Sequence, residues 1–353
     1  MRVAIVGFPY SGKSTLFRAI SGIPRDHLKL AEENLASVKV PEPRLLWLEE
    51  YFKPKRRHEA TIDFIDLPGS GEGDREHAGL ARHLPTLRQS DVLLVVLRGF
   101  ESEAVPAHGG RVTPQRDLAE LRDELLLADL LICDSRVQKL EKSIAKPTQD
   151  RDQQKHELTL LQRCREALES ERPLREVVQP GEDEKMLRSF GFLTQKPVLL
   201  VVNIGEDQIG SEPPLRDAQA AATYAICAEI EAEILQIAPE ERPEFMEGYG
   251  IQALARDRMI YACFAALGMI VFFTGGDVEV RAWPIPKGTT ALEAAGKIHT
   301  DLQRGFIRAE TVAFDDLKAA GSMREAKTAG KLRLEPKNYV VQDGDFITIK
   351  FNV

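Results

Sequence analysis

The stretch Met1–Phe17, MRVAIVGFPYSGKSTLF, decides the fold. Inside it, Gly7-Phe8-Pro9-Tyr10-Ser11-Gly12-Lys13-Ser14 fits the pattern G-x-x-x-x-G-K-[ST]. An apolar run from Val3 to Val6 precedes the loop and reads as a strand, and Leu16, Ala19 and Ile20 follow it at helical spacing. Glycines in such a turn let successive backbone N–H groups converge on phosphate oxygens, at a helix N-terminus whose dipole favours anions. Lys13 then reaches the β and γ phosphates. The Ser14 hydroxyl becomes a ligand for Mg²⁺, which keeps most of its other ligands as water or phosphate oxygen. An incidental Gly-rich turn is the competing reading, and it leaves the flanking strand and helix unexplained.

Composition sets the frame. A chain of 353 residues that is 43% hydrophobic has ample core for about two or three domains and no apolar run long enough to span a membrane. Its first residues read as a strand and a phosphate loop rather than as a secretory leader. Cys133, Cys164, Cys227 and Cys263 lie far apart without C-x-x-C spacing, which argues against zinc and against a disulfide framework, and for small buried apolar residues in a cytoplasmic protein. The net charge of −8 offers nucleic acid no global attraction. Between Arg281 and Val353, however, Lys and Arg number 12 against 9 Asp and Glu, so a basic excess gathers there, whether as a contact surface or as a solvated face.

The rest of a nucleotide site follows the loop. ATIDFIDLPG, residues 60–69, alternates as a strand through Ile62 and Phe64 and ends in Asp66-Leu67-Pro68-Gly69, a D-x-x-G. In phosphate-loop proteins an Asp at a strand end contacts Mg²⁺, often through water, and the glycine N–H can reach the γ phosphate. Val92–Leu97 and Val198–Val202 are continuous apolar runs, as expected of strands buried on both faces of a parallel sheet. After the second comes Asn203-Ile204-Gly205-Glu206. GTPases carry N-K-x-D here, where the Asp accepts from guanine N1 and its exocyclic amine. With Ile204 for the Lys and Glu206 for the Asp, guanine loses its advantage and adenine becomes admissible; a bland alternative is that Asn203 caps a loop.

Between those strands the pattern changes. Leu118, Leu121, Leu125, Ala128, Ile132 and Leu140 recur at mainly three-to-four-residue steps, as do Leu158, Leu161, Cys164 and Leu168. Lys146-Pro147-Thr148 interrupts them. This predicts two amphipathic helices folded back as a helical hairpin, whose apolar stripe is either its own seam or a partner's dock.

Several stretches resemble one family. The loop with STLF, the D-x-x-G, VPEPRL (Val40 to Leu45), ELLLADL, N-x-x-E, CAEIEAEI (Cys227 to Ile234) and most of all FFTGGDVEVRAWPIPKGTTALEAAGKIHTDLQRGFIRAE with KLRLEPKNYVVQDGDFITIKFNV look like YchF-type Obg-like ATPases. The resemblance spans essentially the whole chain. It implies an α/β P-loop NTPase core resembling GTPases, an inserted helical hairpin or coiled-coil arm, and a C-terminal β-grasp (TGS) domain. It also implies slow hydrolysis of ATP, acceptance of GTP, Mg²⁺ as cofactor and association with ribosomes. Carried over, it implies Tyr10, Ser11, Gly12, Lys13, Ser14 and Thr15 around the phosphates, Ile204 beside the base and Ser14 on the metal; the motif reading adds Asp66 on the metal, Asn203 framing the base with Ile204, and Glu206 at the nucleotide. The β-grasp end has independent support: Val278, Val280 and Ala282, and later Tyr339, Val340, Phe346, Ile347 and Ile349, read as strands, with ALEAAGKIHTDL a helix between them. Such domains usually bind, so RNA or ribosome contact through this end and the arm is expected, with no membrane and no DNA partner.

The chain also departs from the family. Tyr10 stands where the family has the Asn that related GTPases use to hold K⁺, so potassium stimulation is not expected. Leu30 stands where a threonine closes over Mg²⁺ and the γ phosphate; Ser37, Glu32 and Glu33 are the oxygen-bearing residues nearby. Ser70 occupies the position of the water-orienting Gln of Ras-like GTPases. No catalytic residue is assigned; Glu72, Arg75 and His77 in the second switch are weak candidates. Three readings compete: a slow ATPase switch on the ribosome or another RNA partner, a sensor of nucleotide occupancy that has lost hydrolysis, and a GTPase. The expected domains are 1–112 with 193–276 for nucleotide, 113–192 for the arm, and 277–353 for the β-grasp end.

Overall fold

A computed structural model describes residues 1–29, 32–68, 80–144 and 150–352. The chain divides into two compact units, Met1–Val38 with Asp63–Ala262 and Lys39–Ile62 with Cys263–Val353. The strands of the first are β1 (Arg2–Val6), β2 (Asn34–Lys39), β4 (Thr61–Asp66), β5 (Val92–Arg98), β6 (Val198–Asn203) and β7 (Ala222–Ile226). They form one sheet in the order β2-β4-β1-β5-β6-β7. β1 runs parallel to both β4 and β5, and β5, β6 and β7 continue the parallel pairing. All seven residues of β5 are buried, as its unbroken apolar run requires of a central strand covered on both faces. The order reverses around β1, so its C-terminal end opens a crevice of the kind that binds ligands in open α/β sheets.

The inserted arm is α4 (Pro114–Ile144) and α5 (Arg151–Glu169). Arg136 forks onto Glu157 at 2.7 and 2.8 Å, and Ser143 reaches Gln154 at 3.1 Å. Later residues of α4 therefore meet earlier residues of α5, and the helices are antiparallel. Cys133, Val137 and Leu140 pack with Leu160, Leu161, Cys164 and Leu168, so the stripe is the arm's own seam. Its root differs: Leu118, Leu121 and Leu125 pack with Val95 of β5 and with Leu193. Buried Asp129 anchors that root, accepting from Arg88 on α3 (Leu84–Gln89) at 3.0 Å and from the backbone of Leu193 and Thr194. The four cysteines are buried and unpaired. Burial pushes the Cys133 thiol to about 12 and that of Cys164 to about 11, which leaves them inert as nucleophiles.

The second unit holds a sheet ordered β11-β10-β12-β8-β9-β3, from β3 (Arg56–His58), β8 (Met269–Gly275), β9 (Glu279–Pro286), β10 (Phe306–Ala313), β11 (Arg333–Glu335) and β12 (Asp345–Phe351). This moves the expected boundary near residue 276. β8 pairs with β9 along its whole length, so it belongs to the C-terminal sheet, and β3 adds an edge to β9. The segment between β2 and β4, with α2 (Pro43–Phe52) and β3, thus belongs to the second unit, and Trp47 and Phe52 of α2 are set against Phe314 and Phe346. Val278 is exposed in the turn between β8 and β9, and Tyr339 and Val340 lie outside the named strands, joined only by a bridge from Val340 to Thr290. The helix expected over residues 291–302 is broken at His299, whose extended backbone ends Ala291–Ile298 and whose ring accepts from the Asp301 N–H. Among the described residues no helix is long and apolar enough to cross a membrane.

Candidate nucleotide site

The loop after β1 is shaped by two glycines that cannot be replaced without cost. At Gly7, φ +157°, an added Cβ would lie 2.3 Å from the Val96 carbonyl oxygen; at Gly12, φ +94°, it would lie 2.0 Å from Asn203 Nδ2. Gly12 precedes α1 (Lys13–Ser21), which buries Leu16, Phe17, Ala19 and Ile20 and so aims its N-terminal N–H groups at the loop. Tyr10 at the crown has φ +61° and is 48% exposed. A bulky residue in the left-handed region costs on the order of 1 kcal/mol, a cost that an asparagine would largely avoid.

Lys13 Nζ donates to the Phe8 carbonyl at 2.9 Å, bridging its own loop. Burial, partly offset by Asp66, lowers its ammonium to about 8. Asp66, at the end of β4, is 1% exposed. Burial raises its carboxyl above the usual range, while the Ser14 hydroxyl, the Lys13 charge and Asn34 pull it back. Among the described residues its Oδ1 has no hydrogen-bond partner, and neither has the buried Ser11 Oγ. Burial disfavours both charges here, so the pocket holds polar atoms that its protein neighbours leave unsatisfied.

On the other side of the loop, Asn203 is a strut. Its Nδ2 donates to the Ser11 carbonyl at 3.2 Å, and its Oδ1 accepts from the Ala228 N–H at 3.1 Å. It ties the phosphate loop to the start of α6 (Ala228–Gln236), which goes beyond capping a loop. Ile204 is 4% exposed and packs with Val202, Cys227 and Ile230. Glu206 is exposed on a short 3₁₀ turn. Thr15 lies in the first turn of α1.

Leu30, Gly69, Ser70, Glu72, Arg75 and His77 lie outside the described residues. Ser37 bonds to Asp63, Glu32 pairs with Lys29, and Glu33 accepts from Thr86, so these oxygens are already engaged. Three neighbours escaped the sequence reading. The Phe8 ring stacks on His108 at 3.8 Å, and His108 bonds Glu120 of α4 at 2.6 Å. His83 contacts the Pro68 carbonyl at 3.1 Å, and its pKa is lowered by burial and by Arg82, with the charges of Glu33 and Lys13 also felt. Asn34 approaches Asp66. Lone residues in polar stretches carry no periodic signal that would single them out.

Two family models match. One, described as 50S ribosome-binding GTPase, covers residues 2–133; the other, the C-terminal domain of the YchF GTPase, described as a protein of unknown function (DUF933), covers 269–352. The chain is 40% identical to the ribosome-binding ATPase YchF of Bacillus subtilis, with 100% of both chains covered. This chain belongs to the YchF family. Other YchF relatives include the ribosome-binding ATPase YchF of Escherichia coli O157:H7, 37% identical with 100% of this chain and 99% of the relative covered, and the Obg-like ATPase 1 of rice (Oryza sativa subsp. japonica), 34% identical with 100% and 92% covered. The solved structure of the YchF GTPase of Schizosaccharomyces pombe superposes with a TM-score of 0.85 at 29% identity, covering 99% of this chain and 97% of that one. The YchF assignment accords with a GTPase-type nucleotide-binding unit followed by a distinct C-terminal unit.

Proposed function

We propose that this chain binds Mg·ATP in the loop from Gly7 to Ser14 and hydrolyses it slowly, as a cytoplasmic switch that works on the ribosome. The observation that carries this reading is the buried Asp66 carboxylate beside Ser14 and Lys13, with one oxygen unpartnered. Ser14 and Asp66 are hard oxygen donors, the set that suits Mg²⁺. When bound, that ion neutralises charge on the β and γ phosphates. Lys13 exchanges the Phe8 carbonyl for phosphate oxygens, while Tyr10, Ser11, Gly12, Ser14 and Thr15 enclose them. Asn203 holds loop and base strand in register, Ile204 packs beside the base, and Glu206 stands at its edge. No catalytic group is assigned; Glu72, Arg75 and His77 are the candidates from the second switch.

Adenine is favoured because Ile204 and Glu206 replace the lysine and aspartate that read guanine; relatives named as ATPases support this, and the relative named as a GTPase supports admitting GTP. Relatives named as ribosome-binding support a ribosomal or RNA partner, which the basic excess after Arg281 and the projecting arm suit. Leu30 and Ser70 favour a second reading, in which occupancy alone signals and hydrolysis is lost. Competition of ATP and GTP for nucleotide-free protein, followed by phosphate release with and without ribosomes, tests the proposal. ATP preference with slow release that ribosomes accelerate supports it; GTP preference overturns the base assignment, and no release under either condition selects the occupancy sensor.

A further inference from the structure

The position that would clamp the metal from the first switch is Leu30, which has no oxygen. The described residues beside it offer another connection. The side-chain amide of Asn34 closes a ring on the Lys29 backbone: the Lys29 N–H donates to Asn34 Oδ1 at 2.9 Å, and Asn34 Nδ2 donates to the Lys29 carbonyl at 3.0 Å. That ring fixes which end of the amide is which, since an N–H demands the oxygen and a carbonyl demands the nitrogen. A second proton on Nδ2 is then directed to Asp66 Oδ2, 3.5 Å away at the outer limit of a hydrogen bond. Oδ1 of the same carboxylate has no partner among the described residues. Ser37, Glu32 and Glu33 are engaged elsewhere, so among these nearby polar residues only Asn34 touches both the backbone of the first switch and the carboxylate.

We infer that Asn34 is the positioning residue through which the first switch of this protein is coupled to the divalent cation: it holds Oδ2 of Asp66 so that Oδ1 is presented to the metal's shell, and it reports that carboxylate's position to Lys29. This rests on the Mg·ATP reading above. Partners that orient a metal's ligands without touching the metal are worth roughly 10–100-fold in affinity. The test is the dissociation constant of ATP for the full chain, by calorimetry in Mg²⁺ and in excess EDTA, and the ratio of the two. Asn34→Ala should reduce that ratio about tenfold and leave the EDTA constant unchanged, with circular dichroism as the control for folding.

Asn34→Asp separates the two contacts, because it keeps an acceptor for the Lys29 N–H and has no proton for Asp66; the ratio should stay low. A ratio kept in Asn34→Ala, or restored by Asn34→Asp, overturns the inference while the Mg·ATP reading stands. No Mg²⁺ effect in the unsubstituted protein overturns both.

Discussion

Raising the pH above about 8 should weaken ATP binding through one side chain. Burial lowers the Lys13 ammonium to about 8, against the pull of Asp66. A triphosphate brings negative charge to it, so the bound state holds the proton to far higher pH. Free protein has Lys13 about one-quarter neutral at about pH 7.5 and about nine-tenths neutral at about pH 9, and every neutral molecule must take up a proton to bind. The charged fraction falls about eightfold across that interval, so Kd should rise about eightfold, roughly 1.2 kcal/mol. Below about pH 7 the side chain is charged in both states and its effect vanishes. The same shift acts oppositely on the empty protein. Between about 8 and the ordinary value of 10.5 the unfolded chain binds the extra proton, so Lys13 makes the folded state more stable as pH rises. Calorimetry in two buffers of different ionisation heat measures both the affinity and the proton uptake, which should approach about 0.9 per ATP at about pH 9. Lys13→Arg, charged throughout, should flatten the profile. A constant Kd with no proton uptake in the unsubstituted protein would refute the argument.

Other outcomes follow from single contacts. Gly12→Ala places a Cβ 2.0 Å from Asn203 Nδ2 at φ +94°; backbone strain of about 1–2 kcal/mol and about 1 kcal/mol for each Asn203 bond displaced should cost at least about tenfold in ATP affinity, read by calorimetry with circular dichroism as the control for folding. Asp129→Ala leaves the Arg88 guanidinium without its carboxylate and three donors from Leu193 and Thr194 unmet, so urea unfolding should show a loss of about 3–5 kcal/mol. The double substitution Ile204→Lys with Glu206→Asp restores the groups that read guanine and should move preference toward GTP by about tenfold or more in a competition assay, a gain set by the paired donors of guanine.

What could be read from the sequence followed a physical division. The phosphate loop is legible because its glycines and lysine are fixed by sterics and charge, and β5 and β6 because strands covered on both faces must be apolar throughout. The arm is legible because a helix seam repeats every three to four residues. β3 is the opposite case: Arg56, Arg57 and His58 carry no apolar alternation, and they form a strand only because β9 offers an edge. The boundary after Ala262 is silent for a similar reason. A continuous helix, Ala255–Ala266, runs through it, with no glycine or proline to mark the change. Within the candidate site, Lys13, Ser14 and Asp66 stand out by motif, and the structure adds the two contacts of Asn203. Asn34 has no motif at all, since its meaning lies in two contacts set by the fold.

Lys13, Ser14 and Asp66 are proposed to form one working Mg·ATP site. Its most direct test is calorimetric titration of ATP, in Mg²⁺, into the nucleotide-free full chain and into Lys13→Ala. Binding should be saturable and one-to-one, and the substitution should weaken it by at least about a hundredfold, roughly the 2.7 kcal/mol of a charged contact. Equal affinity in the two proteins would contradict it.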